Sequence, residues 1–342
     1  MAVKVAVHGY GTIGKRVADA ISRQPDMQLV GVAKTRPSYE ARVAVAKGYR
    51  LFVAGAGHPE EFAAANLPVA GSSREMIREA DLVIDCAPDK VGRENAKLYD
   101  EAGIPAIFQG GEKAEVAEMS FSALANFDRA RGKRRVRVVS CNTTGLVRAA
   151  SVLAPAFGVD HWEATIVRRG ADPMESDRGP INGIMPTFKL PSHHGPDVRT
   201  IYPELPIATT AVVVPTTLMH VHVNHVRLAR PPGTTAEVVD RLRHTPRFHL
   251  FAEWERVGGT PQVMEFARDR AGPFRPDMME NVVWENGIKL DGKDLYFFQA
   301  IHQESIVVPE NIDAVRAILD LAPDAATSIE RTDRALGIPR PP

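Results

Sequence analysis

Short apolar runs alternate with segments of helical apolar spacing along the first part of the chain. Residues 3–7 predict a strand, and Val17, Ala18 and Ile21 predict a helix over 15–23 directly after it. Further strands are predicted at 28–33, 81–87, 106–108 and 136–139, and further helices at 92–102 and 114–123. Strands that alternate with helices are typical of a doubly wound parallel sheet. Residues 1–140 are therefore predicted to form a Rossmann-type α/β domain.

The later part of the chain has a different pattern. Residues 161–169 and 208–230 alternate between apolar and polar side chains with period two, and no helix is predicted between them. Such alternation is typical of a mostly antiparallel sheet. A long loop rich in proline, glycine and histidine, residues 172–206, separates the two segments. Loops of this length are usually functional or disordered, and the lack of low-complexity polar sequence favours a function.

The last segments complete the predicted domain organisation. Short strands at 288–290 and 295–300 extend the second sheet, and residues 312–321 predict a helix. We expect this final helix to pack on the first domain, which makes that domain discontinuous. The first domain is therefore predicted to cover 1–140 plus about 305–342, and the second, an α+β domain, to cover 141–304.

The composition narrows the possible partners. Across 342 residues, Lys+Arg and Asp+Glu both number 42, so no net charge favours nucleic acid or an anionic membrane as a partner. No apolar run approaches the about 20 residues that a membrane span needs. Two cysteines provide no disulfide framework, and a strand pattern that begins at Val3 leaves no room for a signal peptide. We therefore expect a soluble cytoplasmic protein.

A glycine-rich turn joins the first predicted strand to the first predicted helix. It reads Gly9-Tyr10-Gly11-Thr12-Ile13-Gly14, which matches the GxGxxG pattern in the strand–turn–helix context that the pattern requires. Gly9 and Gly11 allow a tight turn and close approach of the backbone to a pyrophosphate, while Gly14 allows the helix and strand to pack closely. The phosphates would bind the N–H groups of the first helical turn. We expect a dinucleotide to bind here.

The residue that contacts the adenosine ribose of the dinucleotide is expected at the end of the second strand. There the chain reads Lys34-Thr35-Arg36, without the Asp or Glu that binds a ribose 2′-hydroxyl in NAD-preferring proteins. A cation suits a 2′-phosphate, so NADP is the predicted preference, with NAD accepted because nothing repels it. Gly111 follows the strand at 106–108, where a glycine lets a cofactor ring approach the backbone, and is a candidate on the nicotinamide side.

Cys141 lies between the strand-like residues 136–139 and a helix-like segment, 146–153. Unpaired N–H groups and the positive end of a helix dipole are expected at such a corner, and they lower a cysteine pKa. The thiolate is the nucleophilic form, and ligands bind beside the carboxyl ends of strands in such folds. Cys141 is therefore a candidate nucleophile, whereas Cys86, in the apolar run 82–86, is predicted to be a buried strand residue.

Histidines alternate along the predicted strand at 208–230. His220, His222 and Asn224 share one face of this strand. A histidine on a rigid strand is well placed as a general base beside a thiolate, because its unperturbed pKa lies near neutrality. His-x-His could also bind a metal, which leaves a metal-dependent hydrolase as an alternative. We expect no metal, because no third ligand has convincing spacing.

Several short motifs occur in order along essentially the whole chain. They are Gly9–Arg16, Ser140–Leu146, Arg168-Arg169 with Ala171-Asp172-Pro173, Ser192–Val198, Leu218–His222, and Gln303-Glu304-Ser305 with Val308-Pro309-Glu310-Asn311. Individually only the cysteine motif is specific. Together the motifs resemble those of the archaeal type of glyceraldehyde-3-phosphate dehydrogenase.

The resemblance implies roles for particular residues. Cys141 would be the nucleophile and His220 the base, and Ser140–Asn142 would contact glyceraldehyde 3-phosphate. His193 and His194 resemble a substrate-phosphate site, where imidazolium and loop N–H groups suit an anion. The cofactor contacts implied by the resemblance are Thr12, Ile13, Gly111, Arg169 and Gln303. The family also implies a homotetramer.

The implied reaction is the reversible, NAD(P)-dependent oxidative phosphorylation of D-glyceraldehyde 3-phosphate to 1,3-bisphosphoglycerate, a step of glycolysis or gluconeogenesis. The Cys141 thiolate would add to the aldehyde, and loss of hydride from the thiohemiacetal would leave a thioester that inorganic phosphate attacks. Arg168 or Arg169, with the hydroxyls of Thr143 and Thr144, could hold the two phosphates.

Three alternatives stay open from the sequence. The nearest is another acylating dehydrogenase of similar architecture, such as one that acts on an amino-acid semialdehyde. The second is the metal-dependent hydrolase that would use the histidine strand. The third is a nucleotide-sensing or RNA-binding protein without turnover, which neutral charge and the absence of aromatic clusters among basic residues disfavour.

Overall fold

The chain divides into two compact units in a computed structural model. The structure describes residues 2–88, 90–109, 111–171, 179 and 181–342. The first unit contains Met1–Ser140 and Val307–Leu336, and the second contains Cys141–Ile306 and Gly337–Pro342. The predicted division also falls after residue 140, but it assigns 305–306 and 337–342 to the first domain. Two residues of the sequence motifs, Asp172 and Pro173, lie outside the described residues.

The first unit is built on an all-parallel sheet. Its strands are β1 Val3–His8, β2 Met27–Lys34, β3 Leu51–Val53, β4 Gly71–Ser72, β5 Leu82–Asp85, β6 Ala106–Gln109, β7 Met119–Phe121 and β8 Arg135–Val138. They follow the order β4-β3-β2-β1-β5-β6-β8-β7, and each neighbouring pair is parallel. The order turns back beside β1, so the ends of β1 and β5 form the switch point at which doubly wound sheets bind ligands.

The second unit is built on a mixed sheet. Its strands are β9 Val159–Arg169, β10 Met185–Pro186, β11 Ile207–Val214, β12 His220–Leu228, β13 Phe248–Phe251, β14 Asn281–Asp291 and β15 Asp294–Ile301. They follow the order β10-β11-β9-β12-β15-β14-β13. The β11–β9 and β13–β14 pairs are parallel, and the other pairs are antiparallel. The predicted fold class, a Rossmann-type sheet plus a mostly antiparallel α+β domain, is confirmed.

Helices connect and cover both sheets. The α-helices among the described residues are α1 Gly14–Ile21, α2 Tyr39–Ala46, α3 Pro59–Ala64, α4 Ser73–Arg78, α5 Val91–Ala102, α6 Ala123–Asn126, α7 Cys141–Phe157, α8 His194–Val198, α9 Thr235–Arg243, α10 Thr260–Arg270, α11 Val308–Ile318 and α12 Ala325–Leu336. Short 3₁₀ turns occupy Ala114–Val116, Phe127–Ala130 and Glu253–Glu255. Within the described part of the chain, no helix has the length and apolar character needed to cross a membrane.

The helix α11 belongs to the first unit although it comes late in the chain. All of its residues are buried, and Arg316 on this helix is fully buried. Its Nε and Nη2 each donate to the Asp26 carboxylate at 2.8 Å. Burial would raise the pKa of Asp26, but the hydrogen bonds and charge of Arg316 lower it below its usual value. This partly buried ion pair joins the late helix to the start of β2.

The structure differs from the predicted elements in three places that matter. The segment predicted as a loop without a helix, 172–206, contains β10 and α8 among its described residues. The predicted helix at 114–123 is wrong, because Met119 and Phe121 pair with β8 and tertiary pairing overrides the local preference. The predicted strand at 208–230 is two strands, β11 and β12. They are separated by a segment in which Met219 has a positive φ of 61°, a conformation that no strand continues through.

Candidate active site

Cys141 is the first residue of α7, which begins earlier than the predicted start at Leu146. Its side chain is partly exposed, and the three residues that follow it are buried. Burial raises the pKa of the Cys141 thiol to about 11, although the backbone N–H of Asn142 and the charges of Arg169 and Arg168 act in the opposite direction. The expectation of a lowered pKa is therefore wrong for this structure, and the thiol must lose its proton before it can attack.

The other cysteine does not lie where the sequence predicted. Cys86 follows β5 and is partly exposed, so the prediction of a buried strand residue is wrong. Burial of its sulfur raises the pKa of Cys86 well above the usual value, and the negative charge of Asp85 adds to this effect. Cys86 belongs to the first unit, beside the glycine turn.

His220 begins β12 and lies on the buried face that the alternation predicted, together with His222 and Asn224. Its Nδ1 accepts a hydrogen bond of 3.0 Å from the backbone N–H of Arg169. Because Nδ1 is the acceptor, the proton of the neutral ring lies on Nε2. Burial lowers the pKa of His220 well below its usual value, and the charge of Arg169 adds to the shift. The predicted base role needs an unprotonated Nε2 and does not fit this geometry, in which Nε2 is a donor.

The side chain of Arg169 is buried in a charged cluster of the second unit. It forms an ion pair with Glu304, and its Nε donates to Gln303 Oε1 at 2.5 Å. Glu304 Oε2 also lies 2.9 Å from His302 Nε2. Burial would raise the pKa of Glu304, but the hydrogen bond from His302 and the charge of Arg169 lower it. The structure thus brings together Arg169 and Gln303, the two cofactor contacts predicted in this unit.

Arg168 has a different environment from its neighbour. The pKa values of His193, His194 and His220 are lowered mainly by burial, and the positive charge of Arg168 lowers each of them further. The Nε of Arg168 is buried and has no hydrogen-bond partner in the part of the chain that the structure describes. A buried guanidinium nitrogen without a partner is costly, and an anion would satisfy it.

His194 does not match the anion site that the resemblance implied. It is buried, its Nδ1 hydrogen-bonds Ser192 Oγ at 3.0 Å, and its Nε2 lies 3.4 Å from Asn142 Nδ2. Burial lowers the pKa of His194 to about 3, so the expected imidazolium is wrong for this residue. His193 is exposed and packs against His194 with ring centroids 4.0 Å apart. Its pKa is lowered by burial and by the charge of Arg168.

The two threonines after Asn142 are fully buried. The hydroxyl of Thr143 donates to Asp197 Oδ2 at 2.7 Å. Its donor is therefore already in use, which does not favour the predicted contact between Thr143 and a phosphate. Thr144 is equally buried. Ser140, the remaining predicted substrate contact, is partly exposed at the end of the first unit's main segment.

The glycine turn of the first unit has the geometry that a dinucleotide needs. Gly9 has a φ of 106°, and a Cβ on Gly14 would lie 1.8 Å from the carbonyl oxygen of Gly9, so only glycine fits there. A Cβ on Gly11 would meet nothing within 4 Å, which leaves the backbone open at the position expected to approach a pyrophosphate. Thr12 and Ile13 are partly exposed on the same turn. These residues fit a dinucleotide.

The predicted ribose site contains a carboxylate that the sequence pattern did not indicate. Lys34 Nζ lies 3.3 Å from Glu40 Oε2, which also accepts a 2.5 Å hydrogen bond from Ser38 Oγ. Burial would raise the pKa of Glu40, but the Ser38 hydrogen bond and the charge of Lys34 lower it. A carboxylate this close to Lys34 acts against the binding of a 2′-phosphate, and the prediction of NADP preference did not include it. Thr35 and Gly111, the other predicted contacts of this unit, are exposed.

Most of the functional candidates that the sequence did not indicate have partners distant in sequence, whereas Glu40 lies only six residues after its partner Lys34. Glu304 pairs with Arg169, Gln299 with His222, Asp197 with Thr143 and Glu40 with Lys34. Only Glu304 and Asp197 lay within motifs that the sequence analysis had singled out. Among the described residues, no group of three or more His, Cys, Asp or Glu side chains has the arrangement of a metal site.

A dinucleotide-type glycine turn in one unit and a cysteine with a neutral histidine in the other define a class, the two-domain dehydrogenases. Residues 140–285 match the family described as glyceraldehyde 3-phosphate dehydrogenase, C-terminal domain. Residues 3–123 match the family described as dihydrodipicolinate reductase, N-terminus. Both matches agree with the two observed sheets.

Relatives of known name cover the whole chain. A glyceraldehyde-3-phosphate dehydrogenase of Archaeoglobus fulgidus is 52% identical over 99% of this chain and 98% of its own. Those of Methanothermus fervidus and Halobacterium salinarum are 49% and 50% identical over 98% of this chain, and over 98% and 100% of their own. The chain belongs to the glyceraldehyde-3-phosphate dehydrogenase family. It is therefore an oxidoreductase with a nicotinamide cofactor.

Proposed function

We propose that the protein catalyses the reversible, NAD(P)-dependent oxidative phosphorylation of D-glyceraldehyde 3-phosphate to 1,3-bisphosphoglycerate. The observation that carries this proposal is the position of Cys141 at the first residue of α7, with an Asn142 N–H and two arginine charges acting on its sulfur. The names of the relatives support the substrate. The reaction belongs to glycolysis or gluconeogenesis, and we place it in the cytoplasm, where two free thiols suit the reducing conditions.

In the proposed reaction, Cys141 loses its proton to water and its sulfur adds to the aldehyde carbon. The oxyanion that forms accepts a hydrogen bond from Nε2–H of His220, which is the tautomer set by the Arg169 backbone. Return of the oxyanion electrons to the carbonyl expels hydride and leaves a thioester on Cys141. A bound nicotinamide supplies the hydride acceptor. Inorganic phosphate then attacks the thioester, the C–S bond breaks and the thiolate is regenerated.

Arg168 is the proposed ligand of a phosphate group. Its buried Nε has no partner in the described residues, whereas the guanidinium of Arg169 is used by Glu304 and Gln303. His193, which is exposed within the field of Arg168, is the second candidate. For Ser140 and Asn142 the proposed role is contact with the substrate, and for Arg169 and Gln303 contact with the cofactor, as the family resemblance implies. Thr144 has no separate support.

The proposed cofactor preference is for NADP over NAD, with Lys34 as the ligand of the 2′-phosphate. Replacing Lys34 by Ala should raise the Kd for NADP about 10-fold or more, because a hydrogen bond to a charged group contributes about 1.5–3 kcal/mol. The Kd for NAD should change little. Glu40→Gln is the matched variant, since it removes a negative charge beside Lys34 and should strengthen NADP binding. Equal effects of Lys34→Ala on both cofactors would contradict this role.

The chain is also proposed to form a homotetramer. In support, the outer face of the second sheet exposes apolar side chains on adjacent strands, where Val223 pairs with Phe298 and His225 stacks on Tyr296. Val223, Tyr296 and Phe298 are 40%, 46% and 45% exposed. Sedimentation should give a tetramer, and Phe298→Lys should yield smaller species. A monomer at micromolar concentration would refute the assembly.

The proposed reaction is tested by measuring NADP reduction with several aldehyde substrates, each in the presence of different inorganic anions. Purified protein should reduce NADP with glyceraldehyde 3-phosphate only when inorganic phosphate is present. Arsenate should replace phosphate, because it also intercepts a thioester. Amino-acid semialdehydes should react at least about 100-fold more slowly, since they lack the phosphate that Arg168 would bind. Phosphate-independent oxidation, or faster turnover of a semialdehyde, would overturn the proposed reaction.

A further inference from the structure

A continuous chain of buried hydrogen bonds runs through the second unit from the nucleophile's helix to the loop at 192–195. It begins at the carbonyl oxygen of Gly145, the fifth residue of α7. Asn281 Nδ2 donates to this oxygen at 2.8 Å, and Gln299 Nε2 donates to it at 3.3 Å. A backbone carbonyl can only accept, so both amide groups have a fixed orientation. The position of each proton along this series of hydrogen bonds follows from this one acceptor.

The middle of the chain is His222. Because Gln299 Nε2 is a donor, the contact of 2.9 Å between it and His222 Nδ1 makes Nδ1 an acceptor. The proton of His222 therefore lies on Nε2, which donates to Asn142 Oδ1 at 2.9 Å. Burial lowers the pKa of His222 to about 3, which keeps the ring in this neutral form. His222 is thus fully engaged and cannot replace His220 as a reacting group.

The far end of the chain lies in the loop before α8. With Oδ1 of Asn142 used as an acceptor, its Nδ2 faces His194 Nε2 at 3.4 Å. His194 then carries its proton on Nδ1 and donates to Ser192 Oγ at 3.0 Å. Ser192 in turn contacts Thr209 Oγ1 at 2.8 Å. The donors therefore all point in one direction, from β15 through α7 to the loop.

We propose that His222 is a positioning residue that holds the carboxamide of Asn142, and with it the turn of Cys141, in a single orientation. This inference rests on the proposed function, because it concerns the turn that carries the proposed nucleophile. Asn142 Oδ1 accepts from His222 and one Nδ2–H is directed at His194, which leaves the second Nδ2–H and the backbone N–H as the further donors of this residue. We therefore expect the turn to favour an oxygen acceptor, such as an aldehyde or phosphate oxygen.

The local sequence leaves space for this arrangement at Gly145. A Cβ at this position would lie 2.8 Å from Ile301 Cγ2 and 3.2 Å from His222 Cε1. Any larger residue would push His222 away from Gln299 and Asn142. The glycine in the cysteine motif thus has a physical reason within the proposed arrangement, since it permits close approach of β12 to the helix.

The test compares His222→Leu with His222→Gln. Glutamine keeps one acceptor and one donor for Gln299 and Asn142, whereas leucine keeps only the bulk. We expect His222→Leu to lower kcat about 10- to 100-fold, as small misplacement of a reacting group does, with little change in KM for the cofactor. His222→Gln should recover most of this loss. His161→Leu, at an exposed position on β9, is the matched control and should behave as the wild type.

A second measurement does not depend on dehydrogenase activity. The alkylation rate of Cys141 by iodoacetamide, followed on its own peptide by mass spectrometry, should fall about 5-fold or more in His222→Leu, because the N–H of Asn142 that favours the thiolate moves away. His222→Gln should restore it. If the wild-type protein shows no dehydrogenase turnover, the proposed function is rejected, but the alkylation rates of Cys141 in the variants can still be compared.

Two outcomes would overturn the positioning role. If His222→Leu keeps the wild-type kcat and the wild-type alkylation rate of Cys141, the hydrogen bonds of His222 are not needed to position Asn142. Equal damage from His222→Gln and His222→Leu would show that ring shape matters instead. If His222→Leu does not fold, Gln299→Met interrupts the same chain one step earlier and should give the same loss of alkylation. A wild-type rate in that variant would equally reject the role.

Discussion

The two candidate sites of this chain are formed by different parts of the polypeptide, one by backbone and the other by side chains. The glycine turn of the first unit consists of backbone, in which Gly9 and Gly14 approach each other so closely that no side chain fits. The cysteine turn of the second unit consists of buried side chains from several strands and helices, joined through Asn142, His222 and His194. A backbone site depends on local geometry, whereas a side-chain site depends on hydrogen-bond partners. Substitutions should therefore affect the two regions independently.

The largest expected effect is a loss of turnover in the second unit that leaves NADP binding in the first unit unchanged. Cys141→Ser should lower kcat by about 10⁴-fold or more, as removal of a catalytic nucleophile does. The Kd for NADP, measured by fluorescence titration, should stay within about 2-fold of the wild type, because the glycine turn is unchanged. Substantial turnover in this variant would contradict the covalent step.

The next effect concerns the donor role of His220. His220→Ala should lower kcat about 100-fold or more, which is typical for loss of an oxyanion donor. His220→Gln should recover about 10-fold of this, because an amide can accept from the Arg169 N–H and still donate to an oxyanion. Steady-state kinetics of both variants gives the comparison. If His220 instead acts as a base, the His220→Gln variant will be as inactive as the His220→Ala variant.

In the first unit, Gly14→Ala should weaken dinucleotide binding without affecting the thiol. The added Cβ would overlap the Gly9 carbonyl oxygen, so the turn must shift, and a shift that costs the bound cofactor about 1–3 kcal/mol would raise the Kd about 5- to 150-fold. Calorimetric titration with NADP measures this loss. Gly11→Ala separates packing from binding, since its Cβ meets no protein atom and would weaken NADP binding only by obstructing the approach of the pyrophosphate. The alkylation rate of Cys141 should be the same in all three proteins.

The remaining effect is on the pH dependence of stability and is tested at the side-chain site. The pKa values of His194 and His222 are lowered to about 3 by burial, so both rings bind a proton in the unfolded chain below pH 6.5 but not in the folded protein. Their contribution is complete above pH 6.5 and falls with decreasing pH towards 3. Each should reduce the free energy of unfolding by about 1.4 kcal/mol per pH unit in this range.

Urea unfolding at several pH values checks this slope. His222→Gln removes one titrating ring, so its slope between pH 4 and 6 should be lower by about 1.4 kcal/mol per unit. Gly14→Ala should keep the wild-type slope, because it changes the other unit. An unchanged slope in His222→Gln would mean that the ring is not held neutral in the folded protein.

The same contrast explains what could be predicted from the sequence. The parallel sheet and the glycine turn follow from short local patterns, since the constraints act between neighbouring residues. Cys141 was found because its strand-to-helix setting is also local. Its raised pKa was not predicted, because burial depends on side chains from other segments. The proton positions of His220 and His222 likewise depend on Arg169 and Gln299, which no spacing rule connects to them.

The central claim is that Cys141 carries the acyl group during turnover. The most direct test is mass spectrometry of protein that has been mixed with glyceraldehyde 3-phosphate and NADP without inorganic phosphate, then quenched in acid and digested. The account predicts a phosphoglyceryl thioester on the peptide that contains Cys141, discharged when phosphate is added before the quench. An unmodified Cys141 peptide during NADP reduction, or an adduct on Cys86 instead, would contradict it.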